Sequence, residues 1–372
     1  MTEVTKKYGI AEWRIDSDEE RTLAKKADCS EEGKRQYVDF YRLNDPGYYE
    51  KGLSLIDEQI GHFIGPNITP EMREELVTDM VYSLHRFGCM FDEYFLFDYR
   101  HLNVSGRESF ITDKTRYNYY DALNKHEYEA LFYNKAETYR LYRKFYKREI
   151  IGLLKEDDFA SFDAFCKRHE RFIVKPAKSS CGHGVSIVRL CDYSSTEDLF
   201  VQLLSQGEMV VEELIEQVKE MAVLHPESVN TIRMPAVLCK SGIHLVRPFL
   251  KMGRGASVVD NGKLGGLLAL IDDETGTVVT NGFDEFGNRF VRHPDTNVTI
   301  NGFEIPYWNE AVGLVVELSK VLPDCRYIGW DMALTKEGWV VVEGNASGQF
   351  IAQQSAERLG LRDELKELIA DW

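Results

Sequence analysis

The sequence lacks the features of a membrane-spanning, zinc-binding or disulfide-stabilised protein. Its seven cysteines include no CxxC pair, and their odd number does not suggest a disulfide framework. No apolar run approaches the ~20 residues that a membrane-spanning helix requires. The residues after Met1 contain no apolar segment typical of a signal peptide. We therefore expect a cytoplasmic protein with reduced cysteines.

An excess of positive charge is also absent. The chain has 61 acidic against 45 basic residues, which gives a net charge of −16. Such a surface repels nucleic acid and anionic lipid on average, so we expect neither as a partner. A phosphate-bearing ligand would therefore have to bind in a local basic pocket. The 44% hydrophobic and 28% charged residues are typical of a folded protein rather than a disordered one.

Residues 1–110 are rich in aromatic residues and predict helices. The clearest helix begins at Thr69-Pro70, because threonine can cap it and proline is tolerated at the first helical position. Apolar residues then recur at helical spacing as far as Phe87, and Gly88 is a suitable end. Nothing in this region indicates a particular chemistry, so we interpret it as an accessory region.

From residue 171 the pattern changes to short β-branched runs that are separated by turn residues. Strands mixed with single helices indicate α+β lobes rather than a regular βαβ series. The predicted strands are 172–174, 185–188, 209–211, 232–238, 246–250, 267–271, 328–334 and 339–342. The predicted helices among them are 196–206, 308–322 and 352–370.

The segment from Phe172 to Ile187 combines a lysine with a loop of small residues. A predicted strand ends at Lys175, and the loop that follows contains two serines and two glycines: Ser179, Ser180, Gly182 and Gly184. Such a loop lets backbone N–H groups approach a polyphosphate, and Lys175 adds a positive charge. It is neither a Walker A loop nor a dinucleotide-binding fingerprint, because no helix follows it. The residues by themselves also fit an ordinary Gly/Ser hairpin with an exposed lysine.

Two further acidic or basic segments have more than one interpretation. In Val210-Val211-Glu212-Glu213-Leu214-Ile215, a strand end could offer backbone groups to a purine and a carboxylate to a ribose, or be acidic for solubility alone. The run Tyr139 to Arg148 alternates basic and aromatic residues, as RNA-binding surfaces do. A solvated helix whose aromatic residues anchor it to a core fits better with the acidic total.

The sharpest pattern is a pair of carboxylates near the C-terminus. The runs Ile328 to Leu334 and Trp339 to Asn345 flank a good turn, Thr335-Lys336-Glu337-Gly338. Pairing them brings Asp331 level with Val342 or Glu343, and one bulge would place both carboxylates on one face. Asn345 projects to the same face as Glu343. This oxygen set suits Mg²⁺, although acids at the wet edge of a sheet are the alternative.

In this order, the three motifs resemble the ATP-grasp superfamily over roughly residues 130–350. Ser228 to Arg233, Val258 to Gly262 and Gly329 to Asp331 are similar to its sugar-transfer-associated branch, which is linked to polysaccharide biosynthesis. The resemblance implies an α+β ATP-grasp fold, with two lobes that sandwich ATP, and an N-terminal helical region. We expect that region at 1–112, a helical lead-in at 113–170, a nucleotide lobe at 171–215 and a metal and acceptor lobe at 216–372.

The resemblance also implies residue roles. Phosphate and lid contacts would come from Lys135, Lys175, Ser179, Ser180, Gly182, His183 and Gly184. Glu212, Glu213 and Ile215 would line the adenine and ribose site. Asp331, Glu343 and Asn345 would hold Mg²⁺, and Arg233 would face the transferred phosphoryl group. Two residues depart from the pattern of relatives: Lys178 stands in the loop where many of them have glycine, and Gly329 stands where members that resemble D-alanine–D-alanine ligase have arginine.

The function that we predict is that of an ATP-dependent carboxylate–amine ligase, which works through an acyl phosphate on small-molecule substrates. Arg247, Arg254, Asp260 and Asn261 are candidates for the acceptor pocket, or simply form surface salt bridges. Two alternatives are a kinase that phosphorylates a hydroxyl and a nucleotide-binding regulatory protein.

Overall fold

A computed structural model describes residues 17–179, 184–257, 260, 262 and 265–372. Ser180, Gly182 and His183 of the predicted phosphate loop lie outside this range, as does Asn261. The chain divides into two compact units. Of the described residues, the first unit contains those up to 122, 285–289 and 349–372, and the second contains those within 123–284 and 290–348. The functional boundaries expected at residues 112, 170 and 215 stay predictions.

The first unit is built of helices around an aromatic core. Its helices before residue 123 are α1 (Asp18–Ala27), α2 (Glu31–Asn44), α3 (Pro46–Phe63), α4 (Pro70–Phe87), α5 (Phe91–Leu96), α6 (Val104–Glu108) and α7 (Arg116–Leu123). Its C-terminal helices are α14 (Ile351–Ser355) and α15 (Arg362–Ala370). Tyr37, Met80, Phe97 and Tyr99 are fully buried in its core. No described helix is long and apolar enough to cross a membrane.

Helix α4 forms as its sequence predicts. The Thr69 side chain accepts a hydrogen bond of 3.2 Å from the Met72 N–H, and Pro70 occupies the first turn. The helix ends at Gly88, whose φ of +68° lies in the left-handed region that glycine adopts without strain. The apolar side of the helix is buried in the unit's core, so the predicted helix is confirmed.

The second unit contains the strands and the helices that pack on them. The helices are α8 (His126–Tyr133), α9 (Lys135–Tyr146), α10 (Phe159–Cys166), α11 (Thr196–Ser205), α12 (Lys219–Ala222) and α13 (Trp308–Ser319). The strands are β1 (Ile150–Leu153), β2 (Arg171–Pro176), β3 (Ser186–Arg189), β4 (Met209–Glu213), β5 (Thr231–Cys239), β6 (Gly242–Leu245), β7 (Phe249–Met252), β8 (Leu267–Leu270), β9 (Gly282–Phe283), β10 (Arg289–Phe290), β11 (Tyr327–Thr335) and β12 (Gly338–Asn345).

These strands form two sheets, as expected for two α+β lobes. The smaller sheet has four strands in the order β1-β4-β2-β3. The larger sheet has eight strands in the order β10-β9-β8-β7-β5-β11-β12, with β6 also paired to β5. Every resolved pairing that positions the site is antiparallel, so side chains directly opposite each other share a face.

Three sequence predictions require correction. Strand β1 lies within a region expected to be helical, because its four residues pair with β4 to complete the small sheet. Of the strand expected at 246–250, only residues 249 and 250 belong to β7, and residues 246–248 form the turn between β6 and β7, where Arg247 has a φ of +46°. The helix expected at 352–370 is interrupted between α14 and α15, where Arg358 has a φ of +56°.

The aromatic residues of the basic run 139–148 anchor α9, as predicted. Tyr142, Phe145 and Tyr146 are buried in the core of the large sheet, against residues such as Trp330. A separate core, which contains Phe162, Phe165 and Phe172, lies under the small sheet. Each sheet therefore packs one face against its own hydrophobic core, and its other face is available for polar side chains.

We predict that burial of His85 makes the first unit sensitive to acid. Burial lowers the pKa of His85 to about 4 from 6.5, with a smaller contribution from Lys114. A histidine whose pKa is lowered by folding contributes its full stability above pH 6.5 and loses it as the pH falls toward 4. His85→Phe should therefore reduce the acid loss of unfolding free energy by up to about 3 kcal/mol.

Urea unfolding at several pH values between 7 and 4, followed by circular dichroism, checks this prediction. His101→Gln is the control, because the His101 side chain is largely exposed. Parallel stability curves for the wild type and His85→Phe would contradict it.

Candidate active site

Asp331 lies at the centre of a row of charged residues that crosses the large sheet. On β12 it is directly opposite Glu343, and on β5 it is directly opposite Arg233. The register between β11 and β12 shifts between Asp331 and Met332, so Val342 is skipped and forms a bulge. The bulge expected from the sequence is therefore present, and it lies beside both carboxylates. Asn345 follows on the same strand, opposite Gly329.

The Asp331 carboxylate is buried, and two cations compensate its charge. Arg233 donates from Nε to Oδ1 and from Nη2 to Oδ2, the latter at 2.7 Å, which is a bidentate pair. The Lys251 ammonium lies 3.4 Å from Oδ2. Burial by itself would raise the pKa of Asp331, but Arg233 and Lys251 outweigh it and hold the pKa below its usual value.

Lys251 connects Asp331 to a second buried carboxylate, that of Asp260. The Lys251 Nζ lies 3.5 Å from Asp260 Oδ1, and Asp260 accepts from both the backbone N–H and the hydroxyl of Thr231. Burial lowers the pKa of Lys251, but Asp260 and then Asp331 raise it more, so the ammonium stays charged. The four residues therefore alternate in charge from Arg233 through Asp331 and Lys251 to Asp260.

On the small sheet, Glu212 has a similar position between two cations. Its Oε1 pairs with the Lys175 ammonium, and its Oε2 accepts from Arg148 at 2.7 Å. All three side chains are almost completely buried. Burial alone would raise the pKa of Glu212, but Lys175 and Arg148 lower it below its usual value. Arg148 also donates to the Val341 carbonyl at 2.6 Å, which links the small sheet to β12.

Lys135, at the first turn of α9, lies between the phosphate loop and the carboxylates. Its Nζ donates to the Ser179 carbonyl and is 3.8 Å from Glu343 Oε1. Burial lowers the pKa of Lys135, and the nearby charge of Lys175 acts in the same direction. Lys135, Lys175, Glu212 and Glu343 line a common cleft whose enclosed space is about 10 Å³, close to the volume for one water.

A larger cavity of about 160 Å³ adjoins this cleft, and Tyr146 lines both. Glu213 and Ile215 are among its lining residues, together with the backbone segment after β4. The Glu213 carboxylate also accepts from the Glu149 N–H at 3.0 Å. Of the three residues predicted for the adenine and ribose site, Glu213 and Ile215 line this larger cavity, whereas Glu212 lines the smaller cleft with Lys135 and Lys175.

The other residues singled out in the sequence have less uniform positions. Ser179 lies at the cleft through its contact with Lys135, and Gly184 has a φ of +74° at the far end of the loop. Arg254 pairs with the buried Asp284 at 3.4 Å, which fits a structural salt bridge. Arg247 lies in the turn between β6 and β7. Of the acceptor candidates that the structure describes, Asp260 has the direct contact with the charged row.

The fold family implies Mg²⁺, and the donor types at Asp331, Glu343 and Asn345 fit it. Two carboxylates and an amide are hard oxygen donors, which Mg²⁺ prefers. The amide nitrogen of Asn345 is buried without a hydrogen-bond partner, so this side chain is not committed elsewhere through that atom. Arg233 contacts both oxygens of Asp331, but each carboxylate oxygen has more than one lone pair and could also accept a cation.

Sequence reasoning missed Arg148 and Lys251. Lys251 is the one charged residue in the apolar strand Phe249-Leu250-Lys251-Met252, and a lone charge in a buried strand could have been recognised as a site residue. Arg148 gave no comparable signal, because it ends a basic run that is otherwise solvated. Only the pairing of β1 with β4 brings Arg148 next to Glu212.

Comparison with solved structures gives matches of low identity. The ATP-grasp ligase PsnB complexed with minimal precursor is 14% identical, with a TM-score of 0.42, and the match covers 66% of this chain and 62% of PsnB. The D-alanyl-alanine synthetase A from Vibrio cholerae is 11% identical, with a TM-score of 0.40 and coverage of 65% of both chains. The D-alanine-D-alanine ligase from Helicobacter pylori is 15% identical, with a TM-score of 0.40 and coverage of 65% and 61%.

The chain thus spans less than two thirds of the length of these relatives. A search of curated proteins gives no significant match. The model of the family described as sugar-transfer associated ATP-grasp matches residues 114–369, which is more than half of the chain. This match includes all the strands and the charged row described above, and the chain therefore belongs to the sugar-transfer associated ATP-grasp family.

Proposed function

We propose that the protein is an ATP-dependent carboxylate–amine ligase that forms an amide through an acyl phosphate. The observation that carries the proposal is the distribution of four buried or half-buried cations around the carboxylates of the site. Lys135 and Lys175 line the cleft with Glu343 and Glu212, and Arg233 and Lys251 pair with Asp331. Membership of an ATP-grasp family supports ATP as the co-substrate.

The nucleotide would bind along the two neighbouring spaces. Its base would occupy the larger cavity beside Glu213 and Ile215, and its phosphates would lie at Lys135 and Lys175. Because the cleft is nearly filled, Lys175 would have to leave Glu212 and pair with a phosphate oxygen. Arg148 would remain to neutralise Glu212, so the exchange would not leave a buried carboxylate without a partner.

The second pair of cations favours an anionic acceptor. Arg233 and Lys251 are paired with the buried carboxylates of Asp331 and Asp260. Once the charge of Asp331 is compensated by Mg²⁺, both cations would be available to neutralise an anionic acceptor. A carboxylate oxygen would attack the γ-phosphorus as the bond to the β–γ bridging oxygen breaks, and ADP would leave. An amine nitrogen would then attack the acyl carbon. Phosphate would leave with the electrons of the C–O bond, and the amine would lose a proton.

Asp331, Glu343 and Asn345 are the residues that would hold Mg²⁺. When bound, Mg²⁺ would neutralise charge on the transferred phosphoryl oxygens. The chain's own residues would position the reactants and exclude water. We further propose an acceptor from polysaccharide or peptide-conjugate biosynthesis, in keeping with the description of the family as sugar-transfer associated, and a cytoplasmic location.

We expect Glu212→Gln to destabilise the protein and to make its stability depend strongly on nucleotide. The change leaves Lys175 and Arg148 buried without a counter-charge, which costs about 3 kcal/mol of unfolding free energy. Phosphates would restore negative charge near Lys175, so saturating MgATP should recover part of this loss. Thermal unfolding with and without MgATP measures both effects.

Glu208→Gln is the control, because Glu208 forms an exposed pair with Lys178. Equal losses in both variants would argue against a central role for Glu212.

Asp331→Asn should reduce ATP-dependent ADP release at least about a hundredfold, as loss of a central electrostatic group does. A coupled ADP assay with amino acids and uronic acids, alone and in pairs, measures the rate. Asp324→Asn, at an exposed position of the same unit, should retain wild-type activity. If wild type and Asp331→Asn release ADP equally slowly with every mixture, the enzymatic proposal fails.

Hydroxylamine distinguishes the ligase from a kinase. An acyl phosphate reacts with hydroxylamine to give a hydroxamate, whereas a phosphorylated alcohol does not. With the carboxylate that most stimulates ADP release, we expect hydroxamate to form in proportion to ADP, as measured by mass spectrometry. ADP release accompanied by a stable phosphate ester would instead identify a kinase.

A further inference from the structure

Two buried histidines lie next to the strand that carries Lys251. His225 and His293 are both about 1% exposed, and their ring centroids are 5.7 Å apart. Both contact the turn that follows β7: His293 Nε2 is 2.8 Å from the Gly253 carbonyl, and His225 Nε2 is 3.0 Å from the Gly255 carbonyl. The same turn leads from Lys251 towards Asp260, so the histidines contact the backbone between the two charged residues.

The partners of these rings determine their hydrogen positions. A carbonyl oxygen only accepts, so each Nε2 must carry the hydrogen. His293 Nδ1 accepts from the Asp295 N–H at 3.3 Å, which requires His293 to be neutral. Burial lowers the pKa of His293, in agreement with a neutral ring at pH 7. His225 Nδ1 lies 2.9 Å from the Ser228 hydroxyl.

The turn is also held by a hydrogen bond from its own backbone N–H and by the close approach of Gly253 to the histidine and serine. Gly255 donates to the Asp295 carboxylate at 2.6 Å. A Cβ atom at Gly253 would lie 2.2 Å from the Ser228 Oγ and 2.6 Å from His225 Nδ1. Both distances are too short for a carbon atom, so this position has no room for a side chain. Glycine at position 253 therefore allows the turn to approach the histidine and serine directly.

These contacts join the end of β7 to the beginning of β5. Ser228 and the buried Asn230 lead directly into Thr231, and Asn230 donates to the carbonyls of Met221 and His225 at 3.1 and 2.9 Å. Thr231 is paired with Lys251 in the sheet and donates twice to Asp260. Strand β7, which carries Lys251, and strand β5, whose Thr231 binds Asp260, are thus joined by one buried polar cluster.

We propose that His225 and His293 are positioning residues that fix the Gly253–Gly255 turn and thereby hold Lys251 between Asp331 and Asp260. The inference rests on the proposed function, because Lys251 matters there as the acceptor-side cation. Neither histidine contacts the charged row itself, and both act through the backbone. The cluster is expected to position Lys251 on the large sheet. It is not expected to affect Lys135 and Lys175, which lie in the cleft at the small sheet.

Nuclear magnetic resonance on the full chain, labelled with ¹⁵N at histidine and lysine, tests the positioning directly. At pH 7 we expect His293 to be the neutral tautomer with the hydrogen on Nε2 and an unprotonated Nδ1. The Lys251 ammonium signal, assigned by its loss in Lys251→Met, should shift or broaden in His293→Ala and in Gly253→Ala. His293→Gln should lie closer to the wild type, since its amide can still donate to the Gly253 carbonyl.

His169→Gln is the matched control, because His169 pairs with Glu149 on the small-sheet side and contacts neither the turn nor Lys251. An unchanged Lys251 signal in every variant of the cluster would overturn the proposal. Thermal unfolding identifies any variant that does not fold. If His293→Ala does not fold, Gly253→Ala and Ser228→Ala, which removes the hydroxyl partner of His225, provide the comparison, and an unchanged Lys251 signal in both would overturn the proposal.

Kinetics provide a second and independent test. His293→Ala should lower the kcat of ADP release about tenfold or more while the KM for MgATP stays within about twofold. Added to Lys251→Met, it should have little further effect, because both changes disturb one coupled unit. Additive effects would contradict positioning through Lys251. A wild type that releases no ADP with any carboxylate would contradict the proposed function alone, and the Lys251 signal would still decide the role of the histidines.

Discussion

The structure around the site depends on the compensation of buried carboxylate charge. Asp331 and Glu212 are both nearly inaccessible to solvent, where an unpaired carboxylate would be protonated or would destabilise the fold. Each is held ionised by two cations, Arg233 and Lys251 in one case and Lys175 and Arg148 in the other. The two sheets thus have the same arrangement of charges, in which a buried carboxylate lies between two cations.

This arrangement gives the proposed chemistry a consistent electrostatic basis. A polyanionic nucleotide can replace a carboxylate as the partner of Lys175, because Arg148 continues to neutralise Glu212. An anionic acceptor can likewise share Arg233 and Lys251 while a metal compensates Asp331. In the proposed reaction, substrate binding would exchange one ion pair for another, so little net charge would have to be buried without a partner.

Much of the site could be predicted because its residues lie on strands with strong patterns. The alternation and turn of β11 and β12 brought Asp331 and Glu343 together, and the Val342 bulge follows from the number of residues between them and the turn. The strand expected at 246–250 was predicted to begin too early, at Val246 instead of Phe249, because the sequence does not reveal the left-handed conformation of Arg247. Strand β1 was missed since four residues are too short for periodicity to identify.

The sequence by itself determined the fold class and the helix from Pro70 to Phe87, because these depend on local periodicity, caps and turns. The order of the three motifs is read directly from the chain. The tertiary structure alone decided which cation neutralises which carboxylate. Arg148 and Glu212 are 64 residues apart, and Arg233 and Asp331 are 98 residues apart. Lys251 and the histidine pair acquire their roles in the same way. Such contacts follow from strand order, and no local pattern in the chain encodes the order of strands in a sheet.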